Sequence, residues 1–146
     1  RFEQKRTKVT KGKQQVRMLR TGILNPQLNS LLARVRHTNT LVIADRGFPF
    51  WPGIETVDLS LVDDVPTVLQ VLAAIRVNFV IGHAWMAEEF QHQNTAEVQA
   101  QFAAGLEGIP LKHELHLELK RRVPQAVGLI RTGDTIQYAN IILESG

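Results

Sequence analysis

The chain has 146 residues, of which 44% are hydrophobic and 21% charged, and this balance fits one folded domain rather than a disordered chain. It contains no cysteine, which excludes a disulfide-stapled scaffold and a thiolate metal site. No apolar run approaches the roughly 18 residues that a membrane-spanning helix needs, and no signal-peptide core is seen, so we expect a cytoplasmic protein without a membrane partner.

The net charge of +3 is unevenly distributed along the chain. Residues 1–17 contain seven of the 17 basic residues and one of the 14 acidic ones, which leaves the remainder with a net charge of −3. A basic arm can bind nucleic acid, but the negative remainder argues against a nucleic-acid partner. We expect residues 1–17 to be an N-terminal arm that is disordered or not native, and residues 18–146 to form the domain.

The first predicted elements are a helix and a buried strand. Asn25 followed by Pro26 is typical of a helix start, because an asparagine side chain caps the first turn and proline tolerates its first position. The helix is expected to end near Arg36, and the apolar run 41–44 predicts a buried strand. His37 therefore lies in the turn between the two elements, and Asp45 follows the strand.

Residues 46–53 predict a loop, because two glycines and two prolines fall within eight positions. The loop also carries Phe48, Phe50 and Trp51. Aromatic residues in a loop can plug the core, contact another subunit or form a wall of a ligand pocket, and the first two interpretations are favoured here.

The rest of the chain alternates between strands and helices. Apolar patterns predict strands at 54–59, 78–86, 110–115, 127–130 and 138–143, a helix from Pro66, and a helix to about 106 that a capping box from Asn94 to Glu97 begins. Periodicity leaves 116–122 open between a continued strand and a short helix. The alternation predicts a single-domain, layered α/β/α fold with a mixed, mostly parallel sheet.

His37 and Asp45 are candidate acid/base residues at the two ends of the predicted strand. A histidine with an ordinary pKa of about 6.5 exchanges protons near neutrality, and a carboxylate beside it can accept hydrogen bonds. Each residue also has an ordinary structural interpretation, His37 as a loop histidine and Asp45 as a turn cap or a partner of Arg46. Neither residue identifies a site by itself.

Other titratable residues give weaker signals. His113 and His116 would share a face only on a helix, and no ligand spacing typical of a metal site occurs, so no metal is expected. Glu88 and Glu89 follow a predicted strand, on which neighbouring side chains point to opposite faces, so a solvated pair is favoured over an acid/base pair. Phosphate-binding and acyl-transfer motifs are absent from the sequence.

The segment Tyr138-Ala139-Asn140 contains the only tyrosine of the chain. An asparagine both donates and accepts hydrogen bonds, and a tyrosine offers a hydroxyl group on an apolar ring. This mixture suits a polyhydroxylated ligand such as a sugar. A turn at the start of a strand is the alternative interpretation.

An ordered set of segments resembles the D-ribose pyranase family and the related L-fucose mutarotases. Each segment is weak alone, and the ordered set, from about residue 20 to 146, is specific. The matching segments are 22–25 (Gly-Ile-Leu-Asn), 37–42 (His-Thr-Asn-Thr-Leu-Val), Asp45-x-Gly47-x-Pro49, 65–72, 87–94, 130–134 (Ile-Arg-Thr-Gly-Asp) and 138–143 (Tyr-Ala-Asn-Ile-Ile-Leu). Arg46, Phe48 and Trp51 stand where family members usually carry smaller residues.

The resemblance implies an isomerase that interconverts the pyranose and furanose forms of free D-ribose, without metal or cofactor, in a ring-based homodecamer. His37 corresponds to the catalytic proton donor of the family. Asp45, His116 and the segment Tyr138-Ala139-Asn140 correspond to sugar-contacting residues, and the last segment is expected to reach the pocket of a neighbouring subunit.

The implied reaction needs proton transfers only. The hemiacetal opens and recloses through a different hydroxyl group, and a positioned acid or base accelerates each step by about 10²–10⁴-fold. We expect His37 to be the acid, oriented by a carboxylate such as Asp45, while the base stays open between protein and water. The alternatives are an L-fucose-type mutarotase that exchanges anomers, a non-catalytic, transport-associated sugar-binding module, and a nucleic-acid binder that uses the basic arm.

Overall fold

The computed structural model of the protein describes residues 22–146, and the basic arm predicted at residues 1–17 lies outside them. Within 22–146, no helix is long and apolar enough to cross a bilayer. A short 3-10 turn, Val123–Gln125, follows the last helix. The elements in chain order are α1 (Pro26–Arg34), β1 (Thr40–Ala44), β2 (Glu55–Asp58), α2 (Val68–Asn78), β3 (Ile81–Ala87), α3 (Glu88–Gln93), α4 (Ala96–Gly105), β4 (Leu111–Glu114), α5 (His116–Arg122), β5 (Gly128–Arg131) and β6 (Ile141–Ser145).

The strands form one mixed sheet in the order β2-β5-β1-β6-β3-β4. β2, β5 and β1 pair in parallel, as do β3 and β4, whereas β6 runs antiparallel between β1 and β3. Five strands therefore share one direction, and only β6 opposes them. The predicted mixed, mostly parallel sheet is confirmed.

Helices cover both faces of the sheet, which confirms the three-layer arrangement. On one face, α1 to α4 bury side chains such as Leu31, Leu72 and Phe102 in the larger core. On the other face, α5 and the 3-10 turn bury Leu119 and Val123 in a smaller core. The second layer is thin, because one short helix and one turn form it.

β1 lies in the middle of the sheet and is buried on both faces. Leu41 and Ile43 face the larger core, Val42 and Ala44 face the smaller one, and all four are at most 1% exposed. A strand buried on both faces is apolar at every position, not at alternate ones. This is why the run 41–44 was recognisable in the sequence.

Side-chain caps begin three of the helices. Asn25 accepts a hydrogen bond from the Leu28 N–H (2.8 Å) at α1, as predicted. A reciprocal capping box from Thr67 begins α2. The cap of α4 is Thr95, so the prediction that Asn94 caps this helix is wrong by one residue.

Two further local predictions are corrected, and one open question is answered. β3 ends at Ala87 and passes directly into α3, so Glu88 and Glu89 lie in the first turn of a helix and not at a strand end. β6 begins at Ile141, and Tyr138 lies in the turn before it with a φ of 57°, in the left-handed region that strands exclude. Residues 116–122 form the helix α5.

Gly128 lies where β5 passes closest to α1. A Cβ atom at this position would lie 2.7 Å from Leu31 Cδ1 and 3.3 Å from the Glu55 carbonyl oxygen. Leu31 is fully buried and cannot move aside freely. We therefore expect Gly128→Ala to lower the free energy of unfolding by about 1–3 kcal/mol, measured by urea denaturation.

The matched control for this substitution is Gly53→Ala. A Cβ atom at position 53 would meet nothing within 4 Å, so the free energy of unfolding should stay within about 0.5 kcal/mol of wild type. Equal effects of the two substitutions would contradict the close packing of β5 on α1.

Candidate active site

A cavity of about 380 Å³ opens at the carboxyl ends of the parallel strands. One side of it is formed by His116, which begins α5 after β4, and by four residues that follow β1: Asp45, Gly47, Phe48 and Pro49. Gln137, Tyr138 and Asn140, which precede β6, form the other side. Because β6 is antiparallel, the residues before it reach the same edge as the residues after β1. Ligands of open α/β sheets bind at this edge.

The structure divides the predicted site residues into two groups. Asp45, His116, Tyr138 and Asn140 line the cavity together. Ala139 is 0% exposed and packs in the larger core, so its side chain lies beneath the cavity and not on its surface. His37 is exposed in the turn before β1 and does not line the cavity.

His37 and Asp45 lie at opposite ends of β1 within one chain. The five strand residues between them, at about 3.3 Å each, correspond to about 16 Å. Asp45 therefore does not orient His37 of its own chain, which corrects that expectation. Within one chain, Tyr138 and Asn140 line the cavity and His37 lies outside it, so the expected sharing of sites between subunits stays a prediction.

Asp45 is tied to Asn140 across the cavity floor. The Asp45 N–H donates to Asn140 Oδ1 (2.8 Å), and the Gly47 N–H donates to Asp45 Oδ1 (2.9 Å). Burial raises the pKa of the Asp45 carboxyl above its ordinary value, whereas hydrogen bonds from the Gly47 and Phe48 backbone and from Asn140 lower it. The result is a partly desolvated carboxyl group that faces the cavity.

Arg131 on β5 holds the backbone of the loop that carries Asp45. Its Nη1 donates to the carbonyl oxygens of Asp45 (3.1 Å) and Arg46 (3.2 Å), and its Nη2 donates to that of Pro49 (3.3 Å). A planar guanidinium group with five N–H donors suits several carbonyl oxygens at once. One side chain thus fixes the course of the loop.

His116 lies between two aromatic rings. Its ring meets that of Tyr138 edge-on with centroids 5.1 Å apart, and that of Phe48 edge-on at 6.1 Å. Burial lowers the pKa of His116, Lys120 lowers it further, and the carboxylates of Glu89 and Asp45 oppose this. The lowered pKa favours the neutral imidazole, which can accept a proton.

The loop aromatics have separate roles. Phe48 is 5% exposed, belongs to the smaller core and also lines the cavity. It therefore both plugs the core and forms part of a pocket wall, which are two of the three roles considered for the loop aromatics. Trp51 packs on the smaller core, whereas Phe50 is 69% exposed. Arg46 forms an exposed ion pair with Asp63 (2.6 Å). Among the three departures from the resembled family, only Phe48 therefore shapes the cavity.

The turn 132–134 anchors the cavity to the rest of the fold. The Thr132 N–H (2.9 Å) and hydroxyl group (2.8 Å) both donate to the Ala44 carbonyl oxygen at the end of β1. Asp134 is 1% exposed, and its carboxylate accepts from the Val68 N–H (2.8 Å) and the Ile136 N–H (2.9 Å). The end of β1, the start of α2 and the approach to Tyr138 are thereby linked.

Sequence reasoning missed three residues that support the cavity. Besides Arg131, Glu89 accepts a hydrogen bond from the His116 N–H (2.9 Å), and Asn94 donates to the Gln137 carbonyl oxygen (2.9 Å). In the sequence, only their place in the matching segments 87–94 and 130–134 indicated that these residues matter.

A metal site would need several ligands in one place. The described residues, 22–146, contain no group of three or more His, Cys, Asp or Glu side chains that could hold a metal ion. His113 on β4 and His116 on α5 lie on different elements. The pair therefore does not share a helix face.

Comparison with known proteins identifies relatives over most of the chain. Residues 18–146 match the RbsD / FucU transport protein family. The chain is 42% identical over 129 residues to a D-ribose pyranase of Geobacillus thermodenitrificans, covering 88% of this chain and 97% of that protein. It is 36% identical to a D-ribose pyranase of Coprothermobacter proteolyticus, covering 88% and 98%.

Two solved structures are similar to this fold. Bacillus subtilis RbsD complexed with D-ribose superposes with a TM-score of 0.79 at 32% identity, covering 88% of this chain and 98% of that one. The fucose mutarotase of Streptococcus pneumoniae in complex with L-fucose gives a TM-score of 0.72 at 19% identity, covering 84% and 92%. At 19% identity, the second likeness concerns the fold alone.

The raised pKa of Asp45 has a consequence for stability. The folded protein holds the Asp45 proton more tightly than the unfolded chain does, so this group stabilises the fold below the ordinary aspartate pKa of about 3.9. That contribution is lost as the pH rises through the folded pKa. We expect Asp45→Asn, whose amide oxygen still accepts from Gly47, to raise the urea midpoint at pH 7 and to lose this gain below about pH 4.

Asp58 provides the matched control for Asp45. It is exposed, and its carboxylate also accepts from the N–H two residues ahead, that of Ser60 (2.9 Å). Asp58→Asn is expected to give no gain at pH 7. A lower urea midpoint for Asp45→Asn than for wild type at pH 7 would show that the ionised carboxylate stabilises the fold.

Proposed function

This chain belongs to the RbsD / FucU transport protein family, and on that premise we propose that it is a D-ribose pyranase, an isomerase that interconverts the pyranose and furanose forms of free D-ribose. The observation that carries the proposal is the convergence of Asp45, His116, Tyr138 and Asn140 in one cavity. The pyranases at 42% and 36% identity match over nearly their whole length, which supports it.

The lining of the cavity suits a free sugar. The carboxylate of Asp45 accepts hydroxyl hydrogens, and the NH₂ group of Asn140, whose oxygen accepts from the Asp45 N–H, has two N–H donors, one of which can serve a sugar while the other faces Asp45. Phe48 and the ring of Tyr138 provide apolar surface for the C–H groups of the sugar. Fixed polar groups beside apolar ring surface are found in small-molecule sites.

Ring interconversion needs one proton donor and one acceptor. A proton reaches the ring oxygen as its bond to C1 breaks, and the anomeric hydroxyl loses its proton to give the open aldehyde. The aldehyde recloses on the C4 hydroxyl as a furanose or on the C5 hydroxyl as a pyranose, and the protons return. We assign the acceptor role to His116, because its ring lines the cavity and burial, which lowers its pKa, favours the neutral form that accepts a proton. No step requires a metal or a cofactor.

The donor in this proposal is His37 of a second copy of the chain. His37 is exposed at the end of the sheet opposite to the cavity. The turn around it is fixed, because the Thr38 N–H donates to the Ser145 carbonyl oxygen and the Asn39 N–H to that of Arg36, both at 3.0 Å. A fixed and exposed histidine can enter the cavity of a neighbour without changing its own fold.

The two ends of the sheet carry different charged residues. The cavity end carries the carboxylates of Asp45 and Asp64 besides the Arg46–Asp63 ion pair, and the opposite end carries Arg36 beside His37. Both ends also expose apolar side chains, which favours burial between copies. These side chains are Phe50, Leu61, Val62, Val65, Leu115 and Leu117 at the cavity end, and Val77 and Val80 at the other.

Contact between the two different ends is head-to-tail. Head-to-tail contacts close into rings when the rotation between copies permits it. We therefore propose a ring-based homo-oligomer, a decamer by family resemblance, in which the His37 of each neighbour completes a cavity. The matched relatives support residues 18–146 as the functional domain. The proposed cytoplasmic location rests on the family resemblance alone.

Saturation-transfer NMR on free D-ribose tests the activity directly. The full chain should raise the exchange rate between pyranose and furanose signals in proportion to its concentration. L-Fucose, measured in parallel, separates ring interconversion from anomer exchange. If ribose binds and its exchange rate keeps the spontaneous value, the protein is a sugar-binding module and not an isomerase.

His37 gives the first mutational prediction. Removing a proton donor from a general acid/base reaction should lower kcat by about 10²–10⁴-fold, so we expect this loss in His37→Ala. The fold of the subunit should be retained, with an unchanged far-UV circular dichroism spectrum, because the side chain is exposed within its own chain. His92→Ala, at another exposed histidine, is the control and should keep wild-type exchange. If His37→Ala keeps the wild-type exchange rate, His37 is not the proton donor.

Mixed oligomers test whether two copies share one site. His37→Ala lacks the proton donor but keeps an intact cavity. Asp45→Asn lacks the carboxylate of the cavity but keeps an intact His37. Each variant alone should therefore be inactive. An equal mixture that exchanges subunits should regain up to about a quarter of wild-type activity, since one junction in four combines both intact parts. Subunit exchange seen by native mass spectrometry without any regained activity would contradict a shared site.

A further inference from the structure

The segment 87–94 matches the resembled family but contributes no side chain to the cavity. It comprises the end of β3, the helix α3 and Asn94. α3 begins at the carboxyl end of β3, beside the edge of the sheet where the cavity opens. Its position suggests a role in holding the cavity walls, and two of its side chains contact them.

Glu89 holds the wall that carries His116. The residue before α5, Leu115, provides no side-chain cap, so the first N–H groups of this helix need another acceptor. Glu89 Oε1 accepts the hydrogen bond of the His116 N–H at 2.9 Å. A carboxylate from α3 thus fixes the backbone of His116 from 27 positions away in the sequence.

Asn94 holds the wall that carries Tyr138. Its Nδ2 donates to the carbonyl oxygen of Gln137 and to that of Phe90, both at 2.9 Å. Gln99 on α4 in turn donates to the Asn94 carbonyl oxygen at 3.0 Å. The turn before β6 is therefore attached to the end of α3, as α5 is attached to its beginning.

We propose that Glu89 and Asn94 are positioning residues that set the spacing between the His116 and Tyr138 walls of the cavity. The two ring centroids lie 5.1 Å apart with the rings edge-on, and one wall is bonded to α3 and the other to Asn94, the residue that directly follows it. A displacement of about 1 Å at a reacting group can cost about 10²-fold in rate, so such a spacer affects catalysis without contacting the sugar. The catalytic part of this inference rests on the proposed function.

Glu89 also acts on His116 through its charge. The groups that face His116 are Lys120 on its own helix, Glu89 on α3, Asp45 after β1, and Tyr138 before β6. The carboxylate of Glu89 favours the protonated imidazole and so opposes the lowering of the His116 pKa by burial. The charge of Glu88, one residue earlier, acts instead on His113.

Three variants separate the contact from the charge. Glu89→Gln keeps an oxygen that accepts from the His116 N–H, so kcat should stay within about threefold of wild type at pH 7, while the pKa of His116 falls. Glu89→Ala loses both contact and charge, and kcat should fall by about tenfold or more. Glu88→Gln, the matched control, should change neither kcat nor the pKa of His116.

Asn94→Asp tests the second attachment with nearly the same shape. The variant replaces the donating NH₂ group with an oxygen that faces two carbonyl oxygens, so the turn before β6 should shift. We expect kcat to fall by about tenfold or more, as for Glu89→Ala. If the two residues set one spacing, Glu89→Ala/Asn94→Asp should lose less than the product of the single losses.

The readouts are ribose exchange by NMR, thermal melting, and titration of the five histidine rings by selective ¹³C labelling, with His116→Gln used for assignment. Wild-type kcat in Glu89→Ala and Asn94→Asp with only a lower melting temperature would overturn the inference. If Glu89→Ala fails to fold, wild-type kcat in Asn94→Asp together with an unchanged His116 pKa in Glu89→Gln would overturn the inference. If wild type leaves ribose exchange at its spontaneous rate, the proposed function fails, and the His116 titration still decides whether Glu89 acts on this ring.

Discussion

The antiparallel pairing of β6 with β1 and β3 determines where every candidate residue lies. In a sheet of otherwise parallel strands, a reversed strand brings the residues before it to the edge where its neighbours end. Tyr138 and Asn140 thereby meet Asp45 after β1 and His116 after β4. The same pairing brings the end of β6 to the start of β1, where Ser145 bonds the turn that carries His37. The direction of this one strand therefore brings the cavity residues together and places His37 at the opposite end of the sheet.

In the proposed mechanism, the proton donor and the proton acceptor belong to two chains. A single subunit carries Asp45, His116, Tyr138 and Asn140 at one end of the sheet and His37 at the other. The length of β1 keeps these parts separate in each subunit, and the proposed head-to-tail contact would bring them together. Association and activity are consequently linked in the proposed enzyme.

The sequence was informative where a single local pattern determined the structure. The run 41–44 is apolar because β1 is buried on both faces, and Asn25 followed by Pro26 satisfies the first turn of α1 by itself. α3 was missed because six residues are too few to show helical periodicity. Asp45 and Asn140 are 95 positions apart, so no local pattern could reveal their hydrogen bond. The ordered resemblance to the family identified the candidate site residues. Only the fold showed which of them lie close together.

The hydrogen bonds of Arg131 to the loop after β1 affect how the residues that line the cavity can change during evolution. Arg131 contacts the carbonyl oxygens of Asp45, Arg46 and Pro49, which every amino acid possesses. The path of the loop is therefore insensitive to the side chains that it displays. A substitution at Phe48 must still be accommodated by the smaller core, but it leaves the Arg131 contacts with the backbone in place. In the proposed enzyme, the choice of sugar can thus change through the cavity lining while the backbone of the loop is retained.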